Sequence, residues 1–153
     1  VTKPRWLSAA ELDAWRTYLV TTHLLERRIE EQLKADAGLT HGQYEILVRL
    51  ADAPERSIRM TELARQTVIS KSALTYQVGQ LEKTGLVERA SCATDDRGVL
   101  AVLTDEGIRT LERIAPAHVE VVREYLLDQL TSDDLGALAE IMAKVKTRLE
   151  AQT

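Results

Sequence analysis

Residues 85–107 read GLVERASCATDDRGVLAVLTDEG, and this stretch limits the fold more than any other. Gly85 is placed to stop a helix, because glycine accepts the left-handed conformation found just past helix ends. Leu86 to Arg89 then reads as a short strand. A polar turn follows at Asp95-Asp96-Arg97-Gly98, and a second strand returns over Val99 to Leu103. The pattern predicts one β-hairpin with a charged tip in a chain that otherwise reads as helix.

The helices announce themselves by caps and by apolar spacing. Ser8 and Glu11 have capping-box spacing, and Leu12, Trp15, Leu19, Leu25, Ile29 and Leu33 continue at helical intervals, which predicts a first helix from Ser8 to Leu33. Gly38 ends that region. Thr40 with Gln43 opens a second helix, whose apolar face is Tyr44, Leu47, Val48 and Leu50 and which Pro54 closes. Ser57 to Met60 reads as extended. Thr61 is placed to cap a brief helix over Glu62 to Gln66, Thr67-Val68-Ile69 makes a turn, and Ser70 caps a helix reaching Thr84. After the hairpin, Thr104 opens a long helix carrying Leu111, Ile114, Val122 and Leu126, with a kink expected at Pro116. Thr131 and Asp134 box the last helix, which carries Leu135, Leu138, Ile141, Val145 and Leu149.

Two helices joined by a tight turn and followed at once by a hairpin form a winged helix-turn-helix pattern. The second helix of such a pair enters the major groove of DNA. Here Leu74, Val78 and Leu81 mark its buried stripe. Ser70, Lys71, Ser72, Thr75, Tyr76, Gln77 and Gln80 supply hydroxyls, amides and a cation suited to base edges and phosphates. Gln77 is read as an adenine partner, and Lys71 as a phosphate partner beside the helix N-terminus. The net charge of −4 is not that of a typical DNA binder, but its distribution is informative. Between Arg56 and Arg97 seven basic residues outnumber five acidic ones, whereas the flanks are both net acidic.

Residues 61–107 resemble the MarR family of transcriptional regulators. The resemblance rests on TELARQTVISKSALTYQVGQLEKTGLVERA, on the D-x-R-G of Asp95 to Gly98, and on VLAVLTDEG after it. With the long first helix and the two helices after the wing, it covers nearly the whole chain. It implies a mainly α fold with a small β-hairpin wing. The DNA-binding region would be residues 40–104, and residues 1–38 and 105–153 would supply dimerisation helices. It further implies a homodimer on double-stranded DNA with a pseudo-palindromic operator, acting as a repressor that a small-molecule effector relieves. Within the D-x-R turn it makes Arg97 the minor-groove probe and Asp95 the carboxylate that holds it. A narrow A·T minor groove attracts an inserted arginine. Two positions depart from the family pattern: Tyr76 stands where many relatives carry a basic residue, and Gln80 where arginine is common.

By the same resemblance an effector is expected between the dimer helices and the DNA-binding part, with Trp15, Tyr18, His23 and Tyr44 as its lining. His41 and His118 read as surface or interface residues. The single cysteine, Cys92, lies in the wing. Redox-sensing relatives place theirs near the start of the first helix, so Cys92 is read as incidental. One cysteine builds no disulfide framework or Cys-based zinc site, and no pair of histidines with acids has metal-site spacing, so neither metal nor cofactor is expected. There is no Gly-rich phosphate loop, G-x-S-x-G or catalytic triad pattern, which argues against an enzyme. The alternative, a winged helix used for protein–protein contact, is disfavoured by the charged tip and the amide-rich helix. No apolar run approaches the roughly 18–20 residues of a membrane span, and a cytoplasmic location is expected.

Overall fold

The structure, a computed structural model, describes residues 4–92 and 95–151, with residues 95–97 described in their backbone only. Among the described residues, six helices and three strands follow in the order α1 (Ala9–Ala37), α2 (His41–Asp52), β1 (Ser57–Arg59), α3 (Met60–Thr67), α4 (Lys71–Lys83), β2 (Val87–Cys92), β3 (Asp95–Leu103), α5 (Asp105–Tyr125) and α6 (Ser132–Glu150). Single 3-10 turns lie at Pro54–Arg56 and Leu127–Gln129. The expected class, mainly helical with a small wing, is the observed one.

Local chemistry sets most helix ends where the sequence places them. Ser8–Glu11, Thr40–Gln43 and Thr131–Asp134 all form reciprocal capping boxes. In each, two backbone N–H groups left free by the helix start find side-chain acceptors. Gly38 and Gly85 take the left-handed conformation at φ 66° and 74°. α1 runs one turn beyond its last apolar residue, to Ala37.

The cap expected from Thr61 does not form. α3 starts at Met60, and Arg59 stands at the cap position without a side-chain bond, because β1 passes straight into the helix. Val68, in the turn after α3, is also left-handed at φ 56° and is 90% exposed. A β-branched residue there is strained, and it faces water instead of filling an apolar turn. α5 continues unbroken through Pro116. The carbonyl that Pro116 leaves without a donor belongs to Glu112, which is exposed, so water can take its place.

β3 is the centre of a three-stranded antiparallel sheet in the order β1-β3-β2. Ile58 pairs with Ala101, and Ala90 with Leu100. The pairing then shifts. Ser91 faces Val99 but Cys92 faces Asp95, which leaves residues 96–98 looped out of the ladder as a bulge. The sequence placed the whole D-x-R-G in the hairpin turn. Asp95 instead pairs in the ladder, and residues 93–94 lie outside the described residues.

The core joins α1, α2, α3, α4, the sheet and the first half of α5. Leu33, Ile46, Leu47, Leu50, Leu63, Val78, Leu81 and Ile114 are its most deeply buried members. Its limits matter as much as its contents. α1 buries only Ile29 and Leu33, and α6 buries no side chain at all.

Thr104 is the joint between wing and α5. Its backbone N–H donates to the Leu86 carbonyl (3.1 Å), its hydroxyl donates to the Gly85 carbonyl (2.7 Å), and the same hydroxyl accepts from the Gly107 N–H (3.0 Å). The end of α4, the root of β2 and the start of α5 are thereby held at one point.

Candidate nucleic-acid interface

The buried stripe of α4 is the one the spacing predicts: Leu74, Val78 and Leu81 are at most 1% exposed. Around the rest of the helix the expected readers separate into two groups. Ser70, Lys71, Ser72, Thr75 and Tyr76 are exposed, Tyr76 by 64%. Ser70 accepts from the Ala73 N–H (3.1 Å) as N-cap, and the first turn of α4 carries no acid. Unpaired N–H groups, the helix dipole and Lys71 thus make this end favourable for a phosphate.

Gln77 and Gln80 are half-buried. The Gln77 amide oxygen accepts from Gln43 Nε2 (3.0 Å). A bidentate adenine contact would need that oxygen as well as the amide nitrogen, so in this structure Gln77 is turned toward α2 and does not present the pair of groups expected of it. Gln80 lines a small cleft of about 160 Å³ with Gln43, Leu39 and Thr84. The Thr75 hydroxyl donates to the Lys71 carbonyl (2.8 Å) but keeps a lone pair on the exposed side.

One residue that spacing could not single out is Arg89, on β2. Its Nη2 donates to the Thr75 carbonyl (2.9 Å), and its Nε lies 3.4 Å from the Glu82 carboxylate. The guanidinium lies against the helix surface at Gly79, where a Cβ would stand in ordinary contact, 3.6 Å from Nη2. Arg89 therefore ties the wing to the flank of α4 opposite Gln77. On α3, Arg65 donates to Glu62 (2.9 Å from Nε) and Gln66 donates to the same carboxylate (2.8 Å). These two bonds, Arg65's first, hold the Glu62 carboxyl down to about 2. The charge of Arg65 is thus answered within its own helix. Asp95 and Arg97 sit on β3 by backbone, at the pairing shift, and their side chains lie outside the described residues.

The expected effector lining is divided by the structure. Trp15 and Tyr18 stack on each other at 5.9 Å between centroids, half exposed on α1, and His23 is exposed. Tyr44 is a core residue, 7% exposed, whose ring packs on His118 at 4.4 Å. No ring contact joins the two groups among the described residues.

His118 and His41, read as surface or interface residues, are both half-buried. They lie 6.0 Å apart by centroid where α1, α2 and α5 meet, with His41 Nδ1 2.9 Å from the Glu26 carboxylate and its Nε2 3.9 Å from Glu45. His118 Nδ1 is buried without a hydrogen-bond partner. Burial, and then the neighbouring His41, push the His118 pKa down, with Glu45 opposing. The unfolded chain therefore binds a proton on His118 more readily than the folded one. This contribution leaves stability untouched above the ordinary histidine value and lowers it as pH falls below about 6.5. His118→Phe keeps the ring against Tyr44 and removes the proton. Thermal melts between about pH 5 and 7.5 should fall less steeply with acid for His118→Phe than for the wild type. Parallel profiles would refute the assignment.

A short helix, a left-handed turn, an exposed polar helix and a wing braced against it define a winged helix-turn-helix. Comparison with known proteins gives the same answer. A sequence model described as MarR family matches residues 37–98. The HTH-type transcriptional repressor YetL of Bacillus subtilis is 33% identical over 121 residues, 79% of this chain and 72% of that protein. Two Streptomyces coelicolor crystal structures are similar. Sco3205, a MarR family transcriptional regulator in complex with DNA, has a TM-score of 0.92 and 46% identity, over 95% of this chain and 91% of that one. AbsC has a TM-score of 0.93 and 39% identity, over 97% and 99%. The chain belongs to the MarR family and is a transcriptional regulator, not an enzyme.

Proposed function

We propose that this regulator binds a pseudo-palindromic duplex operator as a homodimer, with α4 in the major groove and the wing along the flanking minor groove, and that it acts as a repressor. The observation that carries the reading is the exposed N-terminal half of α4. Lys71, Ser72, Thr75 and Tyr76 are exposed there at an acid-free helix start, while the opposite stripe is sealed in the core. Residues 1–38 and 105–153 serve as dimerisation helices. What supports this is the apolar surface a single chain leaves uncovered: Trp6, Leu7, Trp15, Val20 and Leu24 at one end of the sequence, Ile141, Val145 and Leu149 at the other. Soluble monomers seldom expose so much apolar surface in contiguous patches. No helix among the described residues is long and apolar enough to cross a membrane, and we place the protein in the cytoplasm with its DNA.

A small-molecule effector that releases DNA has its best seat in the cleft of about 320 Å³ between α1 and the end of α5. There Arg27, Arg28 and Tyr125 offer cationic and aromatic groups among Leu24, Leu25 and Leu126. Arg28 already stands 5.4 Å over the Tyr125 ring. Glu31 already pairs with Arg27 (3.8 Å) and Arg28 (3.1 Å), so a planar organic anion seated there would compete with that carboxylate for the two guanidinium groups.

Selection of binding sites from random duplexes tests the reading. It should return two inverted half-sites with centres about 10–10.5 bp apart, and a single unpaired half-site would refute the dimer. Arg97→Ala should leave the circular dichroism spectrum unchanged, weaken operator binding roughly tenfold, and lower the salt slope by about 1. Unchanged affinity at moderate salt would remove Arg97 from the interface.

A further inference from the structure

We infer that Gln43, on α2, is a positioning residue for DNA recognition: it fixes the rotation of α4 about its own axis through the Gln77 amide. This rests on α4 being the DNA-reading helix.

Among the described residues, polar ties reach α4 on both flanks of its buried stripe. On one side Arg89 reaches the Thr75 carbonyl from the wing. On the other, Gln43 Nε2 donates to Gln77 Oε1 at 3.0 Å, across 34 residues of sequence. Apolar packing of Leu74, Val78 and Leu81 is non-directional and lets a helix roll by small angles. Hydrogen bonds on opposite flanks do not, since they weaken steeply with misalignment. A roll of α4 would swing Ser72, Thr75 and Tyr76 together relative to the base edges.

The orientation of Gln43 is itself determined. Its Oε1 accepts from the Thr40 N–H (3.1 Å), while its own N–H donates to the Thr40 hydroxyl (3.1 Å). The capping box therefore turns the oxygen of the Gln43 amide toward Thr40 and its NH2 toward Gln77. The chain Thr40–Gln43–Gln77 links the α1–α2 junction to the middle of α4. α2 packs on α1 and α5, so a shift of those helices relative to the DNA-binding part is felt at α4 through this bond.

The test is a double-mutant cycle read in operator binding by the whole 153-residue chain. Gln43→Met and Gln77→Met each remove the bond with little change of shape. Each should weaken binding about three- to tenfold and broaden the base preference recovered by selection. The double variant should bind no more weakly than Gln43→Met alone. Gln43→Glu should restore most of the affinity lost in Gln43→Met. Its carboxylate still completes the capping box and accepts from Gln77 once that amide turns over. Losses that multiply in the double variant would overturn the inference, as would a lower melting temperature with unchanged affinity and base preference. Lys71→Ala and Ser72→Ala serve as controls. If they weaken binding while the cycle is flat, the positioning role fails; if they too are without effect, the assignment of α4 as the reading helix fails and takes the inference with it.

Discussion

Gly107→Ala should cost about 3 kcal/mol of stability and lower the melting temperature by about 6–12 °C. The residue lies buried in the first turn of α5. A Cβ built there would overlap the Leu86 carbonyl oxygen and the Leu103 side chain. Leu103 can change rotamer, but the carbonyl cannot retreat. It accepts from the Thr104 N–H, in the bond that seats α5 on the root of the wing. Relief of the overlap must therefore lengthen that bond or displace β2. Gly136→Ala is the matched contrast. Nothing stands within 4 Å of a Cβ at that position, on the exposed surface of α6, and the substitution should stabilise by up to about 1 kcal/mol from helix propensity alone. Thermal and urea melts of the two variants measure both effects. A Gly107→Ala melt within a degree or so of wild type would show that the joint yields freely. The same joint explains why a Leu-Thr-x-x-Gly stretch follows the wing. Leu103 closes the strand into the core, Thr104 caps the helix onto Leu86, and Gly107 is the only residue that fits beneath it.

Features that depend on a few neighbouring residues were legible in the sequence. The three capping boxes, the left-handed glycines and the Leu74–Val78–Leu81 stripe are each set by contacts within one turn of helix. Where neighbours in space intervene, the reading slips. Thr61 has the chemistry of an N-cap but loses the position because β1 hands the chain directly into α3. The D-x-R-G stretch has turn composition, yet pairing with Cys92 draws Asp95 into the ladder and leaves residues 96–98 to bulge. A register shift of this kind is set by both strands together. In the interface the exposed members of α4 were identifiable by spacing. Gln77 was not, because it lies on the flank of the buried stripe and meets a partner from another helix. Arg89 and Gln43, the two ties on α4, carry no local signature: one reads as a wing residue and the other as half of a capping box. Tyr44 and His118 show the same limit. Tyr44 reads as effector lining and His118 as a surface or interface residue until the packing of the two rings on each other is seen.

Ile141→Asp should dissociate the proposed dimer and weaken operator binding by about 10²–10⁴-fold. α6 repeats apolar residues at Leu135, Leu138, Ile141, Val145 and Leu149, yet Ile141 is 52% exposed and no residue of the helix is buried by its own chain. A helix with one apolar stripe gains most of its stability by covering that stripe, and the exposed face of α1 offers matching surface at the other end of the sequence. In a two-fold dimer a single substitution enters the interface twice. Each carboxylate would then be held against apolar side chains with no partner, an arrangement that costs far more than the methyl groups removed. Loss of the dimer leaves α4 intact on each chain but uncouples the two half-sites. The second contact then no longer benefits from the first, and that lost effective concentration sets the size of the drop. Thr147→Asp, on the opposite face of α6 by helical periodicity, adds the same charge and should leave mass and affinity nearly unchanged. Sedimentation and operator titration separate the outcomes. A fully dimeric Ile141→Asp with wild-type affinity would place the dimer surface elsewhere, and a monomer with wild-type affinity would mean that one α4 and one wing suffice to hold the operator.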